Sequence, residues 1–369
     1  MIQKEAQGNL DSSDDLYFLT LLPFYHLSSF MSVSGDSSKP IIVAIVANFV
    51  IAIAKTVGFF FSGSSALLSE SIHSFADVMN QALLYIGIRR GGKEETSVFH
   101  YGYSQERFFW NLVSAMGIFV LGCGVTVYHG FHDLFSDRQY KEEGNVQLII
   151  EIILFISLLV ESYSFSVAIK EIKSQAVERK KKFFAYLKES LDPSVSAVFW
   201  EDMAAITGIF LALIGIIMTS LTGDKTFDAV ASIIIGLLMG LIAFHLAVEN
   251  KKFLIDKAIP EYEMEKIYNI LKEEKLIKSL KDVKTLVFGP DRLKFSAHLE
   301  LNMEELSNRV REKCKNEKPE LYHSLIEANT TELNEYNQLF NRVIQEEYKR
   351  IEDRLRSGFP SLKHIELNR

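Results

Sequence analysis

Six apolar runs, each close to 20 residues long, occupy the chain between Pro40 and Glu249: Ile41–Phe61, Ala66–Ile88, Phe108–Phe131, Val146–Ile169, Val195–Leu221 and Phe227–Val248. A helix crosses the hydrocarbon of a bilayer with about 20 apolar residues. In lipid every backbone N–H and C=O must be satisfied within the segment, so each run is predicted to be a membrane-spanning helix. The flanking sequence is charged, which predicts three parts. Residues 1–39 are a poorly ordered or interfacial segment, 40–250 a six-span transmembrane domain, and 251–369 a small α+β domain. The first part is not read as a signal peptide, because Asp11, Asp14 and Asp15 precede its short apolar stretch and Pro23 and His26 interrupt it.

Charge sets an orientation. The connection after the second run holds Arg89, Arg90, Lys93 and Arg107. The connection after the fourth holds Lys170, Lys173, Arg179, Lys180, Lys181, Lys182 and Lys188. The links after the first, third and fifth runs hold only Arg138, Lys141 and Lys225. The excess of Lys and Arg places both basic loops, and with them both termini, on the cytoplasmic side. The net charge of −7 carries no basic footprint for nucleic acid. The two cysteines, Cys123 and Cys314, are far apart, so neither a disulfide framework nor a cysteine zinc site is expected.

Ionisable residues inside these runs are the functional signal, because a charge at bilayer depth is costly and marks an ion path. The second run contains Glu70, His73 and Asp77. His73 and Asp77 are four apart, so they sit one turn apart on one helix face, which is metal-ligand spacing. Glu70 shares that face and either guides ions or orients His73. Glu201 and Asp202 stand at the head of the fifth run, and Glu161 lies in the middle of the fourth, where it either relays protons or pairs with a cation. Asp228 opens the sixth run and reads as a helix cap. Gly117, Gly122, Gly124, Gly236 and Gly240 suit close helix contacts.

Beyond Ile255 the pattern changes. Residues 260–275 read as a helix. Val283–Phe288 and Leu293–Leu301 read as strands joined by the turn Gly289-Pro-Asp-Arg. Residues 303–355 read as a helical region broken near Pro319, and 362–367 as a last strand. The order α-β-β-α-β predicts one sheet covered by two helices.

The segment Ser62-Gly-Ser-Ser-Ala-Leu-Leu-Ser-Glu-Ser-Ile-His-Ser-Phe-Ala-Asp-Val-Met-Asn-Gln81 resembles the second helix of the cation diffusion facilitator family, in its zinc-transporter branch with His-x-x-x-Asp. Phe99-His-Tyr-Gly-Tyr-Ser-Gln-Glu-Arg-Phe-Phe-Trp110, Glu201-Asp-Met-Ala-Ala-Ile-Thr-Gly208, Asp228-Ala-Val-Ala-Ser-Ile-Ile-Ile-Gly236 and Gly289-Pro-Asp-Arg-Leu-Lys-Phe-Ser-Ala resemble later parts of the same branch. The resemblance implies an α-helical membrane protein, with a six-helix bundle and a metallochaperone-like cytoplasmic domain. It also implies a homodimer that exports divalent metal, usually Zn²⁺, against protons. It adds Asp202 to His73 and Asp77 as a ligand. Many members carry a fourth ligand where this chain has Val198, so water or Glu201 would complete the shell. Glu201 sits about 100° round the helix from Asp202, so the two cannot both point straight at one ion. Zn²⁺ is the expected substrate, with Mn²⁺, Fe²⁺ or Co²⁺ as alternatives, and a non-transporting receptor or scaffold is the reading from another class. No HExxH-type hydrolase motif is present, so an enzyme is not expected.

Overall fold

The computed structural model describes residues 38–136, 144–324 and 330–368. The expectation for residues 1–39 therefore lies almost wholly outside the described residues. So do Arg138 and Lys141. The described residues fall into two compact units, the first up to Glu94 and from Glu106 to Lys251, the second Glu95–Gln105 with those from Lys252 onward.

In the first unit six long helices occupy the six predicted segments: α1 Ser38–Ser62, α2 Ser65–Gly91, α3 Glu106–Leu134, α4 Gly144–Glu178, α6 Pro193–Thr222 and α7 Thr226–Leu254. A short α5, Phe183–Glu189, joins α4 to α6. Among the described residues α3, α4, α6 and α7 are long and apolar enough to cross a membrane, while α1 offers a shorter apolar stretch from Asn48. The remaining long helix, α2, has the length but is too polar to count among them. Its Ser, Glu, His and Asp side chains face inward, with Ser65, Ser69, Glu70, Ser71, His73 and Ser74 all buried. Around it the usual polarity is reversed. Phe60, Phe61, Leu241 and Phe244 are all exposed on the outer faces, as lipid contact requires.

The helix ends follow local chemistry. Gly63 takes φ +65°, where only glycine is unstrained, and turns α1 directly into α2. The Ser64 hydroxyl then accepts the Leu67 N–H at the start of α2. Asp192 caps α6 by accepting the Ser194 N–H at 2.9 Å, Pro193 takes the first helical position, and Gly223 closes the far end in the left-handed region.

Small residues set the packing of α3 against α7. The middle of α3, Ile118–Val125, is wound as a π-helix. A Cβ on Gly122 would lie 2.5 Å from Met239 Cε, one on Gly236 2.8 Å from Val127 Cγ2, and one on Gly240 2.7 Å from Cys123 Sγ. Gly117 takes Met79 in the same way. Gly124, expected to join these contacts, has nothing nearer than a backbone oxygen of its own helix at 4.0 Å. It faces away because the extra residue in a π turn rotates the following positions.

The second unit holds α8 Glu261–Lys272, β1 Ile277–Gly289, β2 Arg292–Leu301, α9 Met303–Glu317, α10 Pro319–Ser324, α11 Thr330–Gly358 and β3 Leu362–Asn368. The sheet order is β1-β2-β3, with β1 and β2 antiparallel and β2 and β3 parallel. Along β2 Leu293, Phe295, Ala297, Leu299 and Leu301 are buried and alternate with Lys294, Ser296, His298 and Glu300, as predicted. Strand β1 starts six residues earlier than the alternation suggested, at Ile277 against 283. The register shifts between Lys281 and Lys284, and Asp282 takes φ 50°, so a bulge changes the side-chain phase mid-strand. The helical region after β2 is broken at Pro319, as expected, and Pro319 opens a separate short helix between α9 and α11.

Two features fasten this unit. The loop 95–105, between α2 and α3 in sequence, packs within it. Tyr101 stacks on Phe288 with centroids 4.8 Å apart, meets His364 edge-on and accepts a hydrogen bond from Lys294 Nζ at 3.0 Å. Glu274, 4% exposed, accepts Arg350 Nη2 at 2.6 Å and a further hydrogen bond from Arg354.

Two outcomes test this packing. A Cβ on Gly130 would lie 2.7 Å from Ile233 Cγ1 and 3.1 Å from the α7 backbone, so Gly130→Ala is expected to cost about 1–3 kcal/mol. Gly124→Ala should be neutral or slightly stabilising. Thermal unfolding of the two variants in detergent compares them directly. The hydrogen bonds from Arg350 hold the Glu274 carboxyl below its ordinary value of 4.5, against burial, with Arg354 adding to the lowering. Its contribution is therefore present above pH 4.5 and lost as pH falls through the lowered folded value. Glu274→Gln is expected to destabilise the second unit by about 1.5–3 kcal/mol at pH 7, and by less in acid. Hydrogen exchange in β1 and β2 measures both.

Candidate functional site

The inward face of α2 carries Glu70, His73, Ser74, Asp77 and Asn80, spaced by three or four residues. This helix packs against α1, α3 and α6, and α4 packs against α1 and α6. The polar face is thereby enclosed by helices instead of meeting lipid.

His73 Nε2 lies 3.6 Å from Asp77 Oδ2. That is too long for a hydrogen bond, and the buried Nε2 has no other partner. The separation suits two corners of a tetrahedron, because ligands about 2.0–2.1 Å from a zinc ion lie about 3.4 Å apart. On α6 Asp202 Oδ2 accepts the Ser164 hydroxyl at 3.3 Å, which ties it to α4. Both Glu201 oxygens accept Asn80 Nδ2, at 2.8 and 2.7 Å. The Asn80 carbonyl in turn accepts the Ser114 hydroxyl from α3.

Coulombic coupling joins these groups. Asp77 is coupled to His73, Lys55 and Glu70. Glu161 is coupled to Asp77, Lys55, His73 and Glu70, and Asp202 to Glu161 and Asp77. Asp77 and Asp202 also act on Glu201, so among the described residues five carboxylates from α2, α4 and α6 share one enclosed region with Lys55 and His73. Among the described residues no three His, Cys, Asp or Glu side chains converge into a ready-made metal cage.

Glu70 is committed elsewhere. Its Oε2 accepts Lys55 Nζ at 3.0 Å, and the same ammonium reaches Ser74 Oγ at 2.9 Å. Both ends of this pair are almost wholly buried. Sequence reasoning did not single out Lys55, although a lone lysine in an apolar span is itself a signal. Asn80 and Ser164 gave no such sign, since neutral hydroxyl and amide groups are common in membrane helices.

Asp228 differs from its expected role as a cap on its own helix. It lies in the first turn of α7, but its carboxylate accepts the Ser64 hydroxyl at 2.7 Å and the Ser65 N–H at 2.6 Å, so it caps α2. Ser65 also donates to Asp133, which lies 3.7 Å from His129 Nδ1. The start of α2 is thus held by α3 and α7 together.

Asn80 donates to both Glu201 oxygens, so Asn80→Leu should leave that carboxylate without these hydrogen bonds at nearly unchanged packing volume. The expected outcome is a loss of about 1–3 kcal/mol in thermal unfolding, largely recovered in Asn80→Leu/Glu201→Gln.

Residues 41–255 match the family described as the cation efflux transmembrane domain. Metal tolerance protein C4 of Arabidopsis thaliana is 29% identical over 344 residues, covering 90% of this chain and 73% of that protein. A mitochondrial proton-coupled zinc antiporter of Mus musculus is 28% identical over 334 residues, covering 89% of this chain and 58% of that protein. A cation-efflux pump of Serratia proteamaculans is 21% identical over 254 residues, covering 69% of this chain and 77% of its own length. The chain therefore spans a little over half the length of the mouse antiporter and about three quarters of the plant protein. The family match covers more than half of the chain, and with four helices apolar enough to cross a membrane, this chain is a multi-pass integral membrane protein of the cation efflux family.

Proposed function

We propose that the protein is a divalent metal transporter that exchanges Zn²⁺ for protons by alternating access. One observation carries this reading. Asp77, Glu161, Glu201 and Asp202, with Glu70, sit in one enclosed region of a membrane domain, where Lys55 and His73 are the basic groups beside them among the described residues. Such a concentration of carboxylates cannot stay ionised in a low dielectric without a cation to neutralise it. Protons or a divalent metal fill that need, and they compete, because metal ligation requires the deprotonated ligands. A nitrogen donor from His73 beside the oxygens favours zinc over metals that prefer all-oxygen sites. The name of the mouse relative, a proton-coupled zinc antiporter, points the same way.

His73 and Asp77 are the ligands from α2, and Asp202 the ligand from α6. Glu201 is the weaker helper, since both of its oxygens are engaged by Asn80. Val198 leaves the fourth corner to water. In this conformation the ligands are not drawn together, so closure of α6 and α4 on α2 is the step that completes the site. Rocking of helices around a midplane site is a general transporter solution. Glu161, coupled to both Asp77 and Asp202, is placed to take the proton as metal leaves. The basic connections put both termini and residues 251–369 on the cytoplasmic side, from which zinc is exported. The working unit is a homodimer.

The test is metal uptake by the purified protein in vesicles across a pH gradient, run with Zn²⁺, Mn²⁺, Fe²⁺ and Co²⁺. Zinc uptake driven by the gradient is expected. His73→Ala, Asp77→Ala and Asp202→Ala should each lower it by at least about a hundredfold, in line with the loss of a direct ligand. Val198→Asp should supply a fourth protein ligand, a third carboxylate, and shift preference toward Mn²⁺. Full zinc flux in a folded Asp77→Ala protein would remove the site.

A further inference from the structure

The metal-binding region contains a cation of its own. Lys55 projects from α1 into the polar face of α2, and its ammonium is held by Glu70 Oε2 at 3.0 Å and Ser74 Oγ at 2.9 Å. The side chains of Lys55 and Glu70 are 1% and 0% exposed, so neither is neutralised by water. Glu70 is fixed from the other side as well. Its Oε1 has no hydrogen-bond partner and rests against Gly208 of α6, where any Cβ would collide with it. The Gly208 gap is therefore shaped around this carboxylate.

The pair is close to the residues proposed to bind metal. Glu70 lies three residues before His73 and seven before Asp77, on the same face. Ser74 is next to His73 in sequence. The charge of Lys55 is felt at both Asp77 and Glu161. A lysine ammonium is a point charge on a flexible four-carbon stem, so once released it moves to a neighbouring carboxylate that lacks a cation. Asp77, which feels the Lys55 charge and whose own contact is the loose 3.6 Å approach to His73, is one such carboxylate.

We infer that Glu70, helped by Ser74, is a positioning residue that sequesters the Lys55 ammonium and so keeps a resident cation off the metal-binding carboxylates. The inference rests on the proposed zinc site. It assigns to Glu70 a part distinct from ligation or ion guidance: its charge is needed only because Lys55 is present. The requirement is therefore conditional. Removing Glu70 alone should block the site, and removing Lys55 with it should restore the site.

The experiment measures Zn²⁺ affinity by titration calorimetry, and Zn²⁺ uptake in vesicles, for the full chain and for Glu70→Gln and Lys55→Met/Glu70→Gln. Thermal unfolding is recorded for each. In Glu70→Gln the freed ammonium competes for Asp77, and zinc affinity should fall by at least about tenfold. In the double variant affinity should return to within about threefold of the unaltered protein. A structural defect from the unpaired ammonium would be repaired in the double variant as well, so sequestration is read from a Glu70→Gln protein that unfolds close to the unaltered protein and yet binds zinc at least about tenfold more weakly. Should Glu70→Gln fail to fold, the double variant decides alone, since it buries no unpaired charge. Affinity near that of the unaltered protein supports sequestration. A tenfold loss in the double variant overturns it, because Glu70 would then be required for itself. Unimpaired zinc binding in a folded Glu70→Gln overturns it too. An unaltered protein that binds no divalent cation removes the function proposed above as well, so the two failures are told apart.

Discussion

Burial of charge in a low-dielectric interior is the constraint on which the helical unit depends. A carboxylate facing lipid is strongly unfavourable, so a helix bearing Glu70, His73, Asp77 and Asn80 on one face cannot stand at the edge of a bundle. α2 is accordingly packed against α1, α3 and α6. Its small buried residues, Ser65, Ala66, Ser69, Ser71 and Ala76, let those neighbours approach. The start of α2 is fixed by the Asp228 carboxylate from α7 and by Asp133 from α3. The apolar residues then have one remaining place, the outside, where Phe60, Leu241 and Phe244 stand exposed.

The polar interior is divided between groups that are satisfied and groups that are not. Lys55 neutralises Glu70, and Asn80 occupies Glu201. Asp77 and Asp202 keep weaker contacts, 3.6 Å to His73 and 3.3 Å to Ser164. The groups left least satisfied in the resting arrangement are the ones proposed to bind metal. A side chain already held by strong hydrogen bonds would have to break them on each transport cycle, whereas a loosely held one exchanges proton for metal at little cost.

In the second unit the interactions are conventional and strong: an alternating apolar face on β2, a bulge in β1, and Glu274 gripped by two arginines. The loop 95–105 belongs to this unit through Tyr101, Phe288 and His364.

The six helices, the α2 polar face and the alternation along β2 were all legible in the sequence. Each follows from short-range periodicity or from the conformational range of one residue. The fold class and the family resemblance were legible for the same reason, since they reside in contiguous motifs. What the sequence left open depends on contacts between distant residues. That Lys55 pairs with Glu70, that Asp228 caps α2 instead of α7, that Asn80 engages Glu201, and that Gly124 packs on nothing are consequences of how helices are rotated about their axes. The start of β1 was hidden by a bulge that changes side-chain phase. Sequence alone determined which residues of this protein are polar in an apolar setting. Only the tertiary structure decided which of them neutralise one another and which remain open to a cation, because Coulomb and hydrogen-bond energies depend on distances of a few ångströms that helical periodicity does not specify.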